Sequence, residues 1–276
     1  MKYTTMIFVR DKGRMCNNIL QYGHVYAWGR EHGCKTMSMR FAYKYPYFHI
    51  CDTPYHNFPT YLFAKYAAKW HLIPTVEFHH LYPDITGREA TMQNSRFVLV
   101  EGWWTPWHDL FLKYKQEIIE LFAFKDSVRQ TVDTKLRQLP KNHLRLGVHI
   151  RRGDYKTWHD GKYYFTDRQY LAYIQQFLTL QSDREVTVCV CGNDPEVDKE
   201  LFKRELKECH VVFPEGNPGE DLYLLSNCNY LIGAPSTFTL VAAMYHDLPL
   251  CWIVDANAPL TDQSFDRFNH LFRHIL

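Results

Sequence analysis

From residue 144 onward the chain alternates between short β-rich apolar runs and longer segments with helical spacing. The runs RLGVHI (145–150), EVTVCVC (185–191), CHVVF (209–213), NYLIGA (229–234) and LPLCWIV (248–254) read as strands. Between them, TDRQYLAYIQQFLTLQ (166–181), DPEVDKELFKRELK (194–207), EDLYLLSNC (220–228) and STFTLVAAMYH (236–246) read as helices. Strands that are apolar on both faces and joined through helices form a parallel sheet, so this half predicts an α/β, doubly wound, Rossmann-like unit. The first half opens as one β-α-β unit. It consists of a strand in TTMIFVR (4–10), a helix in NNILQYGHVYAWGREHG (17–33) closed by Gly33 as C-cap, and a strand in TMSMRF (36–41). A middle segment dense in Tyr, Phe, His and Trp comes next. Strand character resumes in SRFVLVEGWW (95–104), and WHDLFLKYKQEIIELF (107–122) reads as one helix. The polar stretch RQLPKNH (137–143) marks the expected junction, giving domains 1–140 and 141–276.

A chain of 276 residues can form two such units. Its net charge of +2, with no block of like charge, argues against a general polyanion-binding surface, so any anion site is local. The eight cysteines lack paired C-x2-C spacing and several lie in apolar runs, which fits reduced core thiols better than disulfides or structural zinc. The apolar run in MKYTTMIFVRDKGR is too short for a signal or an anchor, and no later run reaches membrane-spanning length. The expectation is a cytoplasmic protein, with any membrane association peripheral and no stable insertion.

The chemistry concentrates in LGVHIRRGDY (146–155), where a buried strand ends in Arg151, Arg152 and Asp154 with His149 among the apolar residues. Ligands of parallel α/β sheets bind beyond the carboxyl ends of strands, and an arginine there offers a planar fork of donors suited to a phosphate. A structural Arg–Asp ion pair is the plain alternative. Arg152-Gly153-Asp154 also spells the integrin-binding tripeptide, a use that its position after a buried strand argues against. Asp194 stands after the next strand, either capping a helix or accepting from a guanine. Ser236 and Thr237 stand at a helix N-terminus, either as caps or as a phosphate site. Neither G-x-G-x-x-G nor Walker A occurs, which removes support for dehydrogenase and P-loop readings. His79-His80, with His71 nearby, lack the ligand spacing of a metal site, and no metal is expected. Trp103, Trp104 and Trp107 could stack on a sugar, although core packing is the commoner use.

Taken in order, these motifs resemble the bacterial α-1,2-fucosyltransferases and, more distantly, the α-1,6- and protein O-fucosyltransferases. HIRRGDY (149–155) is similar to their HxRRxD arginine motif, VCGNDPEVDKE (190–200) to a second segment, and EDLYLLSNCNYLIGAPSTFTLVAAMY (220–245) to a third. Upstream, GRMCNNILQYGHVYA (13–27) and EGWWTPWHDLFLKYKQEIIELFAF (101–124) match two further regions. Departures occur at Cys16, Asn18 and Thr239-Leu240, and they bear on acceptor choice more than on donor binding.

The resemblance implies a GT-B-like fold of two Rossmann-like domains facing a cleft, the first on the acceptor side and the second binding GDP-fucose. It implies inverting, metal-independent fucosyl transfer to a glycan hydroxyl, with galactose O2 the expected position, no cofactor beyond the donor substrate and no nucleic-acid partner. By the same resemblance Arg151 would hold the β-phosphate, while the His149 region and Asp194 would hold the guanine. Ser236, Thr237 and Phe238 would line the diphosphate, and Asn17 would face the sugar or the acceptor, although helix capping explains an asparagine there equally well. Asp154 serves either as general base or as an orienting partner of Arg151 or Arg152, and Arg152 falls to structure or to substrate binding. The rival classes are a transferase using another nucleotide sugar and a non-catalytic nucleotide- or sugar-binding relative.

Overall fold

The computed structural model describes residues 4–79, 84–192 and 194–275. The chain forms two compact units, Met1–Lys125 and Asp126–Leu276. In the first, β1 (Met6–Arg10), α1 (Met15–Glu31), β2 (Lys35–Ser38), α2 (Phe58–Lys69), β3 (Thr75–Phe78), α3 (Ile85–Asn94) and β4 (Phe97–Gly102) precede two short helices, α4 (His108–Lys113) and α5 (Lys115–Leu121). The strands form a parallel sheet in the order β2-β1-β4-β3.

The β-α-β opening is present with its terminator: Gly33 lies just past the end of α1 at φ +66, the left-handed conformation that ends helices. Sequence periodicity missed α2, β3 and α3. The fully buried face of α2 is built of Ala64, Ala67 and Ala68, with Tyr61 and Phe63 only edging onto the core and Phe58, Tyr66 and Trp70 exposed, which leaves no clean apolar stripe to read. β3 is four residues long and half exposed. The helix expected over 107–122 bends at Tyr114, whose N–H still donates to Leu110 O (3.0 Å) and whose carbonyl still accepts from Ile118 (3.0 Å). β4 stops at Gly102, at φ +113, where a Cβ would lie 2.0 Å from the Phe78 carbonyl oxygen.

The second unit comprises α6 (Asp126–Arg137), β5 (Leu144–Ile150), α7 (Asp167–Leu180), β6 (Val186–Gly192), α8 (Lys199–Glu205), β7 (His210–Val212), α9 (Pro218–Ser226), β8 (Tyr230–Gly233), α10 (Thr237–His246), β9 (Leu250–Trp252) and α11 (Phe268–Leu271). All five expected strands are present in one parallel sheet, ordered β7-β6-β5-β8-β9. The division at Lys125/Asp126 falls ahead of the polar stretch 137–143, so α6 belongs to this unit. It is held there by buried Val128 and Val132, by Tyr223 of α9 donating to Asp133 (3.1 Å), and by the Lys135–Glu220 ion pair (3.4 Å). The helix expected from Asp194 begins at Lys199, because Asp198 takes the cap by accepting from Leu201 N–H (2.9 Å).

Candidate functional site

β5 is the middle strand of its sheet, flanked by β6 and β8, so the residues beyond Ile150 emerge at the centre of the carboxyl edge. Arg151 and Arg152 leave that point in opposite senses. Arg151 Nη2 donates to Asp154 Oδ1 (2.6 Å), its guanidinium lies 5.1 Å from the centre of the Tyr155 ring, and its backbone N–H donates to the Tyr170 hydroxyl (3.3 Å). No further acceptor in the described residues engages its Nε or Nη1. Asp154 is exposed and pairs at i,i+3, the geometry of a partner that orients the fork.

Arg152 is turned inward and only 5 % exposed. Its Nε donates to the Phe165 carbonyl (2.9 Å), Nη1 to Asp194 Oδ2 (3.2 Å) and Nη2 to Asp167 Oδ1. Three of its N–H groups are thus engaged within the protein, as the structural alternative requires, and the nearly buried side chain is not presented as an integrin-binding arginine would be. The same bonds constrain Asp194, whose Oδ1 accepts from Glu196 N–H (3.0 Å) while Oδ2 holds Arg152. Asp194 is therefore an ion-pair partner and a turn cap, and any guanine contact falls to its remaining lone pairs. Asn193 lies outside the described residues.

At the next strand end, Ser236 caps the ten-residue helix α10, its Oγ accepting from Thr239 N–H (3.3 Å). Thr239, fully buried, also accepts from Trp252 Nε1 (3.0 Å), which fixes the first turn of α10 to β9. Thr237 starts this helix, so the N-terminal dipole end sits where phosphate binding was expected. Two contacts join it to the arginine loop. Tyr155 donates to Pro235 O (2.6 Å), and Phe238 stacks on the His149 ring at 4.7 Å between centroids and 19°. His149 is buried, and its Nδ1 has no hydrogen-bond partner among the described residues. Burial and, secondarily, the Arg151 charge lower its pKa to about 3, so the ring is neutral at physiological pH. Residue types alone did not reveal Tyr155, Phe165, Asp167 or Tyr170. The signal within reach was the polar pair Thr166-Asp167 at the start of a helix, which forms a capping box between Thr166 and Gln169.

In the first unit, Asn17 is the third residue of α1, beside Gly13 at φ +89, and Arg14 holds the N-cap position. It is therefore not the cap. A buried polar cluster lies at the ends of β1 and β2 and was not anticipated. Ser38 Oγ donates to Asp11 Oδ2, Ser38 N–H donates to His56 Nε2 (2.9 Å), and His56 Nδ1 meets Thr53 Oγ1 (2.5 Å). Since Nε2 accepts, His56 carries its proton on Nδ1, and burial lowers its pKa to about 4. Asp11 Oδ1 and both amide atoms of the fully buried Asn18 lack hydrogen-bond partners among the described residues. Burial raises the Asp11 carboxyl to about 8, against the opposing pull of Ser38 and Arg40. The folded chain thus keeps a proton that the unfolded chain, at the ordinary 3.8, gives up. Stability from this group is full below about pH 4 and is lost as pH rises toward about 8. Melting temperatures of the parent should fall relative to Asp11→Asn across that window; parallel curves would show an ordinary carboxyl.

Trp107 is a core residue, packed on Trp28 and Phe78, and both indole N–H groups of Trp28 and Trp107 donate to Glu89 Oε1 (2.9 and 2.6 Å). Trp104 is exposed. No group of three His, Cys, Asp or Glu among the described residues is placed to hold a metal; His71 is exposed and His80 lies outside those residues.

Residues 6–265 match the family model described as Glycosyl transferase family 11. The chain belongs to this family. It is 29% identical over 267 residues to galactoside alpha-(1,2)-fucosyltransferase 2 of Gorilla gorilla gorilla, covering 92% of this chain and 72% of the relative. To galactoside 2-alpha-L-fucosyltransferase SEC1 of Bos taurus it is 28% identical, covering 85% and 63%. Among solved structures it is similar to a point variant of Arabidopsis thaliana FUT1 in complex with GDP, with TM-score 0.67 and 12% identity over 96% of this chain and 74% of that one. It is also similar to the NodZ alpha-1,6-fucosyltransferase soaked with GDP-fucose, with TM-score 0.58 and 14% identity over 90% and 94%. The fold of this family 11 member is GT-B-like, with two parallel α/β units.

Proposed function

We propose that this family 11 glycosyltransferase moves fucose from GDP-fucose to a hydroxyl of a galactose-containing glycan, with inversion at the anomeric carbon. The observation that carries the donor half is the pairing of Arg151, whose Nε and Nη1 have no acceptor in the described residues, with the N-terminus of α10 at the adjacent strand end. The acceptor half rests on the galactoside specificity in the names of the relatives.

In the reaction the acceptor oxygen bonds to the fucosyl anomeric carbon as the carbon–oxygen bond to the β-phosphate breaks. The bonding pair leaves on the phosphate, and the hydroxyl proton passes to a base or to water. Charge therefore grows on the β-phosphate, where Arg151 and the first turn of α10 (Ser236, Thr237, Phe238) supply donors and dipole. Asp154 orients Arg151; Arg152 and Asp194 hold the loop that carries it. His149, a neutral ring stacked on Phe238, supports the first turn of α10 on the nucleotide side, and Asn17 serves the sugar or the acceptor. No helix among the described residues is long and apolar enough to cross a membrane, and all eight cysteines are free thiols, which supports a reducing, cytoplasmic location.

Calorimetry with GDP, UDP and ADP tests the nucleotide, and transfer from GDP-fucose to a galactoside with and without EDTA tests the chemistry. GDP should bind most tightly and turnover should survive the chelator, since Arg151 supplies the cation. Equal binding of UDP would overturn the donor. Activity lost to EDTA and restored by Mg²⁺ or Mn²⁺ would overturn the role given to Arg151.

A further inference from the structure

Helix α2 is amphipathic in the wrong sense for a helix covered by water. Alanines 64, 67 and 68 face the core and Phe63 packs one edge on Phe8 and Phe97 (5.9 and 5.4 Å), while Phe58, Tyr66 and Trp70 are exposed, Trp70 at 62 % and the nearby Leu72 at 71 %. At 100° per residue, Phe58, Leu62, Phe63, Lys65, Tyr66, Lys69 and Trp70 share one side of the helix, with the lysines along one flank and Phe63 and Trp70 along the other. Tyr66 and Trp70 pack ring to ring at 5.3 Å. Between Asp52 and Glu77 the chain carries no carboxylate, and among the described residues Lys65 and Lys69 have no acidic partner. Beside the helix end lies an open hollow of about 810 Å³, bordered by Lys69, His71, Leu72 and by Arg10, which is already paired with Glu101 (3.2 Å).

Three occupants compete for this face. A second copy of the chain would set Lys65 and Lys69 against the same lysines across a twofold axis. A neutral glycan would stack on ring faces, but the Lys65 ammonium already lies 5.8 Å from the Tyr61 ring centre and 5.6 Å from that of Tyr66. An anionic lipid surface suits every feature. Trp and Tyr settle at the headgroup level, Leu72 and Phe58 enter the acyl boundary, and the lysines meet phosphates with Lys69 and His71 bordering a hollow able to admit one. We propose that the α2 face docks the protein peripherally on an anionic phospholipid bilayer.

Co-sedimentation with vesicles of phosphatidylcholine alone, or of equal parts phosphatidylcholine and phosphatidylglycerol, tests this. The parent should bind the anionic vesicles and leave the neutral ones, and the binding should weaken with salt. Lys65→Gln with Lys69→Gln should weaken partitioning on the order of 25-fold, about fivefold per lysine. Trp70→Ser with Leu72→Ser should weaken it at least as much. Both double variants should keep the parent's melting temperature and its turnover on a soluble acceptor, separating failure here from failure of the proposed reaction. Absent binding, equal binding to both vesicles, or binding untouched by either variant would overturn the proposal. So would a concentration-dependent dimer in sedimentation velocity, without lipid, that the same variants dissociate, since it would assign the face to a second copy.

Discussion

Arg151→Ala should lower turnover of GDP-fucose on the order of 10²–10³-fold, the effect of removing one preorganised donor, about 2.7–4 kcal/mol. The guanidinium stands at the carboxyl end of the central strand, braced by Asp154 at 2.6 Å and lying over Tyr155, with Nε and Nη1 directed at no acceptor in the described residues. A braced fork of this kind gains most as the β-phosphate gains charge, so the loss falls on kcat more than on donor affinity. Arg151→Lys keeps a cation but loses the planar pair of donors and should recover only part of the rate. Melting should barely move, because the Asp154 partner is exposed and such pairs contribute about 0–1 kcal/mol. Initial-rate kinetics beside thermal melts decide the matter: near-parental turnover in a folded Arg151→Ala protein would make this loop a structural one.

How much of the fold was legible in the sequence depends on how each element is buried. β5, β6 and β8 are covered on both faces, so their unbroken apolar runs announce a parallel sheet without reference to the rest of the chain. Gly33 and Ser236 could be placed because helix ends impose local conditions on residue type. α2 could not, because its buried face is alanine while most of its aromatics are exposed or only edge onto the core, which blurs the usual stripe. The site shows the same division. Arg151 and α10 lie at strand ends that the pattern locates. The inward turn of Arg152 depends on Phe165, Asp167 and Asp194, which only the folded topology assembles. Asp11, Ser38 and His56 come from three separate segments, and single polar residues at strand ends carry no periodic signal.

Replacing Arg152 should unsettle the second unit as surely as replacing Arg151 should spare it. In Arg152→Met two nearly buried carboxylates, Asp167 and Asp194, and the Phe165 carbonyl lose their common donor. Stripping one side from a buried ion network leaves uncompensated charge and costs about 3–5 kcal/mol. At about 2–4 °C per kcal/mol for a chain approaching this size, the melting temperature should drop by roughly 6–20 °C. Arg152→Lys should fall between the two proteins, since an ammonium can neutralise but cannot span three acceptors in one plane. The cause is separable from simple loss of packing. Adding Asp167→Asn and Asp194→Asn to Arg152→Met removes the stranded charges and should restore much of the lost stability, whereas a packing defect would persist or deepen. A triple variant that melts no higher than Arg152→Met would show that the carboxylates are not what the guanidinium is there to balance.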